Sequence, residues 1–219
     1  MYVASLHLAL IVMNTFTDQR VLVIGASAGG VYAILELAHF LPRNFPIPIL
    51  FVQHIGAHNS ELCKLVSASG PNPAVAASDG DLPRPGTIHI APPDHHMLLD
   101  KGVIRLSHGQ KEHYARPAID PLFRSAAMEC GPHAIGVILT GRLDDGSAGL
   151  RAIKECGGIT IVQDPADAYA PGMPLSALAS VEADYVVPLH LIGSLLYDLV
   201  RRQSVPSISC RGVTQRYVQ

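Results

Sequence analysis

Val21-Leu22-Val23-Ile24-Gly25-Ala26-Ser27-Ala28-Gly29-Gly30 carries strand-forming residues straight into a Gly-x-Ser-x-Gly turn. Val31 to Phe40 follows with apolar residues at helical spacing, so Ser27 stands between a buried strand and a helix. That is the setting of an activated serine. The glycines let the backbone turn sharply, and the free N–H groups at the start of the new helix lie beside the hydroxyl, where an oxyanion would need them. The same turn also fits a strand-to-helix connection without chemistry, or a phosphate-binding turn of the dinucleotide type. Residues elsewhere in the chain decide among these.

The next apolar run, Ile47 to Gln53, ends at His54, which places a second polar group at a strand's carboxyl end. In open parallel α/β sheets ligands bind at those carboxyl ends, so Ser27 and His54 are candidates for one crevice, although a histidine here also suits a strand cap. Asn59 or Ser60 opens a helix to about Ala68, with Glu61 in its first turn. Residues 70–86, rich in Pro, Gly, Asp and Ser, read as a loop. Thr87 to Ala91 reads as a strand, and Met97–Leu99 and Val103–Leu106 flank Asp100-Lys101-Gly102 as a hairpin. Asp94-His95-His96 reads as solvated loop rather than a metal site, because no cluster of Cys or spaced His follows it.

Ile119 to Met128 is a helix with Asp120 and Pro121 in its first turn. Ala134 to Leu139 is a buried strand running into Thr140-Gly141-Arg142-Leu143-Asp144-Asp145-Gly146, which brings carboxylates to the same sheet edge. Ser147 to Glu155 is a helix closed by Gly157-Gly158, and Ile159 to Gln163 is a strand. Pro174 to Ser180 is a short helix, Tyr185 to Val187 a last strand, and Leu189 to Arg202 the final helix. The expected organisation is a lead over 1–19, one domain over 20–202 and a polar tail over 203–219.

A chain of 219 residues, 48% hydrophobic and 16% charged, suits one domain with a sheet covered on both faces. A net charge of −2 with no basic cluster gives no footprint for nucleic acid or anionic lipid. Cys63, Cys130, Cys156 and Cys210 are scattered without a C-x-x-C pair and read as reduced thiols of a cytoplasmic protein. No apolar run is long enough for a transmembrane helix. Met1 to Met13 imitates a signal-peptide core, yet it has no Lys or Arg before it and no small-x-small cleavage site before Arg20. The expectation is an upstream start, with Met13 as the natural beginning.

Serine hydrolysis needs a nucleophile, a histidine that takes its proton and a carboxylate that holds the imidazole. Three strand ends supply Ser27, His54 and either Asp144 or Asp145, which spacing alone does not separate. Their chain order is not the Ser, Asp, His order of α/β-hydrolases. One oxyanion donor is expected from the Ala28 N–H, just after the serine. No cofactor or metal is called for.

Ile24-Gly25-Ala26-Ser27-Ala28-Gly29-Gly30, Val52-Gln53-His54-Ile55, Ile90 to Met97, Arg116-Pro117 with Asp120 to Ala127, Leu139-Thr140-Gly141 with Asp145-Gly146, Gln163-Asp164, Gly172-Met173-Pro174 and Val187-Pro188-Leu189 together resemble the catalytic domain of the chemotaxis protein-glutamate methylesterases, the CheB family. The resemblance covers about residues 20–200. It implies a doubly wound, mostly parallel α/β sheet with helices on both faces and a small antiparallel hairpin addition, and it places the triad on Ser27, His54 and Asp145. It also implies the substrate, glutamyl methyl esters on the cytoplasmic helices of methyl-accepting chemotaxis receptors, cleaved to glutamate and methanol, with glutamine deamidation as a second activity. The chain departs from the family pattern at Ala28, where Thr is usual, and at Arg142-Leu143, where Met-Gly is usual. If the backbone at Leu143 needs positive φ, a leucine there is strained, and that strain bears on the placement of an oxyanion donor near Arg142. The family's N-terminal receiver domain has no room in the residues before the first strand, so control by phosphorylation within the chain is not expected. Two alternatives stand beside this reading. One is a weakened member that binds receptor without turnover; the other is a nucleotide-binding module, disfavoured by Gln53-His54 where a ribose-binding acid is wanted.

Overall fold

The computed structural model describes residues 19–55 and 61–201. The expectations for the N-terminal lead before Gln19, for Asn59 and Ser60, and for the tail from residue 203 lie outside these residues.

The first unit is strand β1 (Val21–Ala26), helix α1 (Gly30–Phe40) and strand β2 (Ile49–Gln53). Helix α2 (Leu62–Ser69), strand β3 (Ala74–Ala76) and strand β4 (Ile88–Ile90) complete this half. The hairpin β5 (His96–Asp100) and β6 (Val103–Ser107) leads to helix α3 (Ile119–Cys130) and strand β7 (Ala134–Ile138). Helix α4 (Ser147–Glu155), strand β8 (Ile159–Gln163), helix α5 (Gly172–Ser180), strand β9 (Tyr185–Val187) and helix α6 (Leu189–Arg201) finish the described chain.

Seven strands form a sheet in the order β3-β4-β2-β1-β7-β8-β9, and every neighbouring pair is parallel. β5 and β6 pair separately and antiparallel. The fold is therefore the doubly wound α/β sheet with a small antiparallel addition.

β1 is central and buried along its whole length, which explains why it reads as an unbroken apolar run rather than an alternating one. Its side chains still alternate. Leu22 and Ile24 enter a core shared with α1, α2 and α6, while Val21 and Val23 enter one shared with α3, α4, α5 and the hairpin. Each of these fully buried aliphatic side chains contributes about 1.5–3 kcal/mol through burial, so β1 joins the two layers.

After β1 the chain winds outward through β2 toward β3 and β4. It then returns to the other side of β1 to lay down β7, β8 and β9. Between β1 and β7 the winding reverses, and the carboxyl ends of the strands open there into the crevice where such sheets place their ligands.

Two expectations are corrected. The segment 70–86 is not wholly loop, because Ala74–Ala76 pairs with β4 as the sheet's edge. Three residues, with Val75 exposed at that edge, are too few to produce a periodic signal. The Asp94-His95-His96 run is not all solvated either. His96 begins β5 and is buried, with Nε2 against the Gln110 carbonyl at 2.9 Å and Nδ1 accepting the Ala118 N–H at 3.2 Å. Backbone groups occupy both ring nitrogens, which leaves this imidazole no position for a metal. The hairpin turn carries Lys101 and Gly102, both at positive φ, the two-residue geometry that matches strand twist.

Candidate active site

Ser27 follows the last residue of β1, and its N–H donates to the Thr140 carbonyl at 3.0 Å, extending the ladder between β1 and β7 by one step. Gly29 then takes φ +78 as the residue before α1, a left-handed conformation that glycine adopts without strain. The turn beyond Ser27 can therefore be this tight. Across the crevice, Gly141 lets two chains approach. A Cβ there would collide with Met173 Sδ and lie 2.9 Å from the Ser27 Cβ.

The structure brings Ser27, His54 and Asp145 into one hydrogen-bonded chain. Ser27 Oγ lies 3.1 Å from His54 Nδ1, and His54 Nε2 lies 2.7 Å from Asp145 Oδ2. A carboxylate only accepts, so Nε2 carries the imidazole proton and the Nδ1 lone pair faces the serine hydroxyl. That is the tautomer a general base toward Ser27 requires.

Asp145 is 1% exposed and anchored from a distant part of the chain. Its Oδ2 also accepts the Ile119 N–H at 2.7 Å and its Oδ1 the Asp120 N–H at 3.0 Å, both from the first turn of α3. Burial alone would push this carboxyl up. The hydrogen bonds from His54, Ile119 and Asp120 and the attraction of His54 outweigh it and hold the group below the usual carboxylate range. Asp145 is thus kept ionised behind the imidazole. Asp144, its neighbour in sequence, has a side chain 65% exposed, and its carboxylate is hydrogen-bonded to His113 rather than to His54 among the described residues.

Three residues that sequence reasoning did not single out hold the constellation. The buried Gln53 amide donates to the Ser27 carbonyl at 2.8 Å and to the His54 carbonyl at 3.1 Å, tying together the turns that carry nucleophile and base. A polar residue closing an otherwise apolar strand was the available signal. Thr140, 2% exposed, donates from Oγ1 to the Ala28 carbonyl at 2.9 Å and accepts the Ala170 N–H at 2.8 Å. Its own N–H is taken by Gln163 Oε1 at 2.9 Å. His113, in a segment with no periodic pattern, lies behind Asp145 against a second buried carboxylate, Asp120. Nothing in its local sequence marks it.

For the oxyanion, neither the Ala28 nor the Arg142 N–H is hydrogen-bonded to another described residue. Leu143 does adopt φ +66, and the residue is 69% exposed. A left-handed leucine costs about 1–2 kcal/mol. The bend is seated on Gly172 and tied by the Ser176 hydroxyl, which donates to the Leu143 carbonyl at 3.1 Å. Exposed Tyr169, Leu143 and Leu175 give the adjoining surface an apolar character.

The blocks Asp94 and Arg116-Pro117, far apart in sequence, meet here as well. Arg116 donates to Asp94 Oδ1 from Nε at 2.9 Å and from a terminal nitrogen at 2.7 Å, and also holds the His108 and Gly109 carbonyls. This clamp fixes the approach to α3, and hence the two N–H groups that hold Asp145.

The CheB methylesterase profile matches residues 22–196. A putative protein-glutamate methylesterase/protein-glutamine glutaminase of Leptospira interrogans is 39% identical over 184 residues, covering 83% of this chain and 95% of that protein. The protein-glutamate methylesterase FrzG of Myxococcus xanthus is 40% identical over 179 residues, covering 81% of this chain and 54% of that protein. The crystal structure of the Thermotoga maritima CheB methylesterase catalytic domain superposes with a TM-score of 0.79 at 34% identity, covering 83% of this chain and 99% of that one.

Proposed function

Because this chain belongs to the CheB methylesterase family, we propose that it is a protein-glutamate methylesterase in which Ser27, His54 and Asp145 form the catalytic triad. The observation that supports this assignment is the hydrogen-bonded chain from Ser27 Oγ through both nitrogens of His54 to Asp145, set where the winding of the sheet reverses.

As Ser27 Oγ attacks the ester carbonyl, His54 Nδ1 takes the hydroxyl proton, and Asp145 stabilises the imidazolium without itself being protonated. The negative charge that develops on the carbonyl oxygen is received by the N–H groups of Ala28 and Arg142. The tetrahedral intermediate collapses as His54 returns the proton to the leaving methoxide, and methanol departs. Water, deprotonated by His54, then attacks the glutamyl-serine ester; the serine oxygen leaves, reprotonated by the same imidazole, and the receptor's glutamate side chain is freed as its carboxylate. The product throughout is the glutamate side chain of the receptor, still in its polypeptide; with ammonia leaving in place of methanol, the same cycle deamidates glutamine.

We take residues 20–202 as one catalytic domain acting in the cytoplasm on the cytoplasmic helices of methyl-accepting chemotaxis receptors. No helix among the described residues is long and apolar enough to cross a membrane. The chain spans nearly all of the Leptospira relative and about half of several others. Neither the nucleotide-binding module nor the silent receptor-binding module gains an observation of its own. The test is fluorophosphonate labelling located by mass spectrometry, together with methanol release from methylated receptor. Label on Ser27, and loss of both label and methanol in Ser27→Ala, are expected. Methanol release persisting in that variant would overturn the assignment.

A further inference from the structure

We infer that His113 is a positioning residue for the triad: its doubly protonated ring, held between Asp120 and Asp144 and 3.9 Å from Asp145, offsets the buried carboxylates behind His54 and so sets the lower pH limit of catalysis. The inference rests on the triad assignment above.

Asp145 and Asp120 are each 1% exposed, and they are neighbours, since the Asp120 N–H donates to Asp145 Oδ1. Two carboxylates buried side by side repel, and each makes the other easier to protonate. The triad needs Asp145 ionised, so this second acid is a liability unless its charge is met. Asp120 Oδ1 accepts the Gly149 N–H at 2.7 Å, and its Oδ2 meets His113 Nε2 at 3.0 Å. On the far side of the ring, His113 Nδ1 meets Asp144 Oδ1 at 3.1 Å. Carboxylates offer no proton. A ring with a carboxylate on each nitrogen is therefore fully satisfied only as the imidazolium, with both N–H groups donating.

The other charged groups around it agree. From α3, Arg124 stands 4.0 Å from Asp120 Oδ2 and is otherwise engaged with Glu112, which accepts from it through both oxygens at 2.8 Å. From the loop after β7 come Asp144 and Asp145. Among these groups, His113 is thus the one that brings positive charge within 4 Å of Asp145. Burial favours its neutral form, but the charges of Asp145, Asp120 and Asp144 outweigh this and raise its proton affinity above that of an ordinary histidine. Asp120, buried beside Asp145, is raised as well.

The consequence reaches Ser27 through one intermediate. Removing the positive charge leaves Asp120 and Asp145 uncompensated, and the repulsion between them favours protonation of the acid cluster behind His54. His113 stands 3.9 Å from Asp145, and a unit charge acting through a largely solvated path at such a range moves a protonation equilibrium by about half to one pH unit. The experiment is the pH profile of kcat/KM for methanol release by His113→Asn, since asparagine tolerates the left-handed backbone at this position, φ +49. The acid limb is expected to move up by about half to one unit, a displacement that a purely structural loss, which lowers kcat alike at every pH, does not produce. Asp120→Asn combined with His113→Asn removes both charges and is expected to return the limb toward its original position. An unmoved limb in His113→Asn, or a limb that stays displaced in the double variant, would overturn the inference.

A measurement on the unaltered chain guards against variants that fold poorly. Imidazole 15N shifts of His113 at pH 6.5 are expected to show both nitrogens protonated. One deprotonated nitrogen at that pH would refute the doubly donating ring. This readout needs no turnover, so failure of the triad assignment and failure of the His113 inference are told apart.

Discussion

Replacing Asp145 with asparagine removes one oxygen's worth of acceptor and one charge from a site that uses both oxygens. Oδ2 serves His54 and Ile119, and Oδ1 serves Asp120. An amide keeps one oxygen and turns an NH2 toward the other set of donors. If the NH2 faces the Asp120 N–H, two donors oppose each other in a site that water does not reach. An unsatisfied buried donor costs about 1–3 kcal/mol. Loss of the negative charge at the start of α3 adds about 0.5–1 kcal/mol. If instead the NH2 faces His54, the ring is driven to the other tautomer, with Nδ1–H aimed at Ser27 and no lone pair to take its proton. A wrong tautomer of this kind lowers kcat by about 10⁴. Asp145→Asn is therefore expected to be nearly dead in methanol release and to melt roughly 5 to 15 °C lower, from about 2–4 kcal/mol in a domain of this size. Asp144→Asn, altering an exposed carboxylate that touches only the His113 ring, is expected to stay within about threefold. The stability loss also has a pH signature. Asp145 is held below the ordinary carboxylate value, so its contribution is present above about pH 4 and is lost as pH falls through its folded value. The gap in melting temperature between the native chain and Asp145→Asn should narrow on acidification. An inactive Asp144→Asn beside an active Asp145→Asn would refute the assignment.

Two further substitutions address the supports rather than the triad. Thr140→Val conserves shape but strands the buried Ala170 N–H and frees the Ala28 carbonyl; a loss of about 1–3 kcal/mol in denaturant unfolding, with kcat falling about tenfold and KM little changed, is expected, and unchanged stability would contradict the bonding described. Leu143→Gly relieves about 1–2 kcal/mol of left-handed strain against about 0.4–1 kcal/mol of added unfolded-state entropy, so the chain should gain roughly half a kilocalorie per mole. Leu143→Ala retains the strain at an exposed position and should gain nothing; equal gains for both would show that φ at this residue is not the cause.

The strands and helices that bury a full apolar face were readable from period and punctuation. Ser147–Glu155, Ile159–Gln163 and Tyr185–Val187 begin and end where glycine, proline or a change of pattern marks them. Ala74–Ala76 was not, because an edge strand of three residues with one buried side chain has no period to read. Ser27, His54 and the two candidate acids stood out by being polar at the ends of apolar runs. Their convergence depends on sheet order, and the run lengths are silent about which strand neighbours β1. Gln53 was marked only as a polar residue closing an apolar strand and Thr140 not at all, since their roles lie in which carbonyl each faces. His113 and Asp120 belong to a third class, whose meaning is wholly in three dimensions. The loop that carries the histidine is pinned at its exit by Arg116 on Asp94 and along its length by Arg124 on Glu112.

That last class bears on how the site is built. Asp145 is held by the first N–H groups of α3, and the same turn presents Asp120, so the helix that orients the triad's acid also brings a second buried negative charge to it. Orientation and electrostatics are thereby coupled. Any change that improves the seat of α3 against Asp145 also tightens the approach of Asp120, and the charge must be met nearby if Asp145 is to remain ionised. The three donors on Asp145 lower its proton affinity, while burial beside Asp120 works against them. A histidine with a carboxylate on each ring nitrogen meets that requirement from outside the triad. It does so only while it holds its second proton, which ties the state of the acid cluster behind His54 to pH through a residue that touches neither the ester nor the nucleophile.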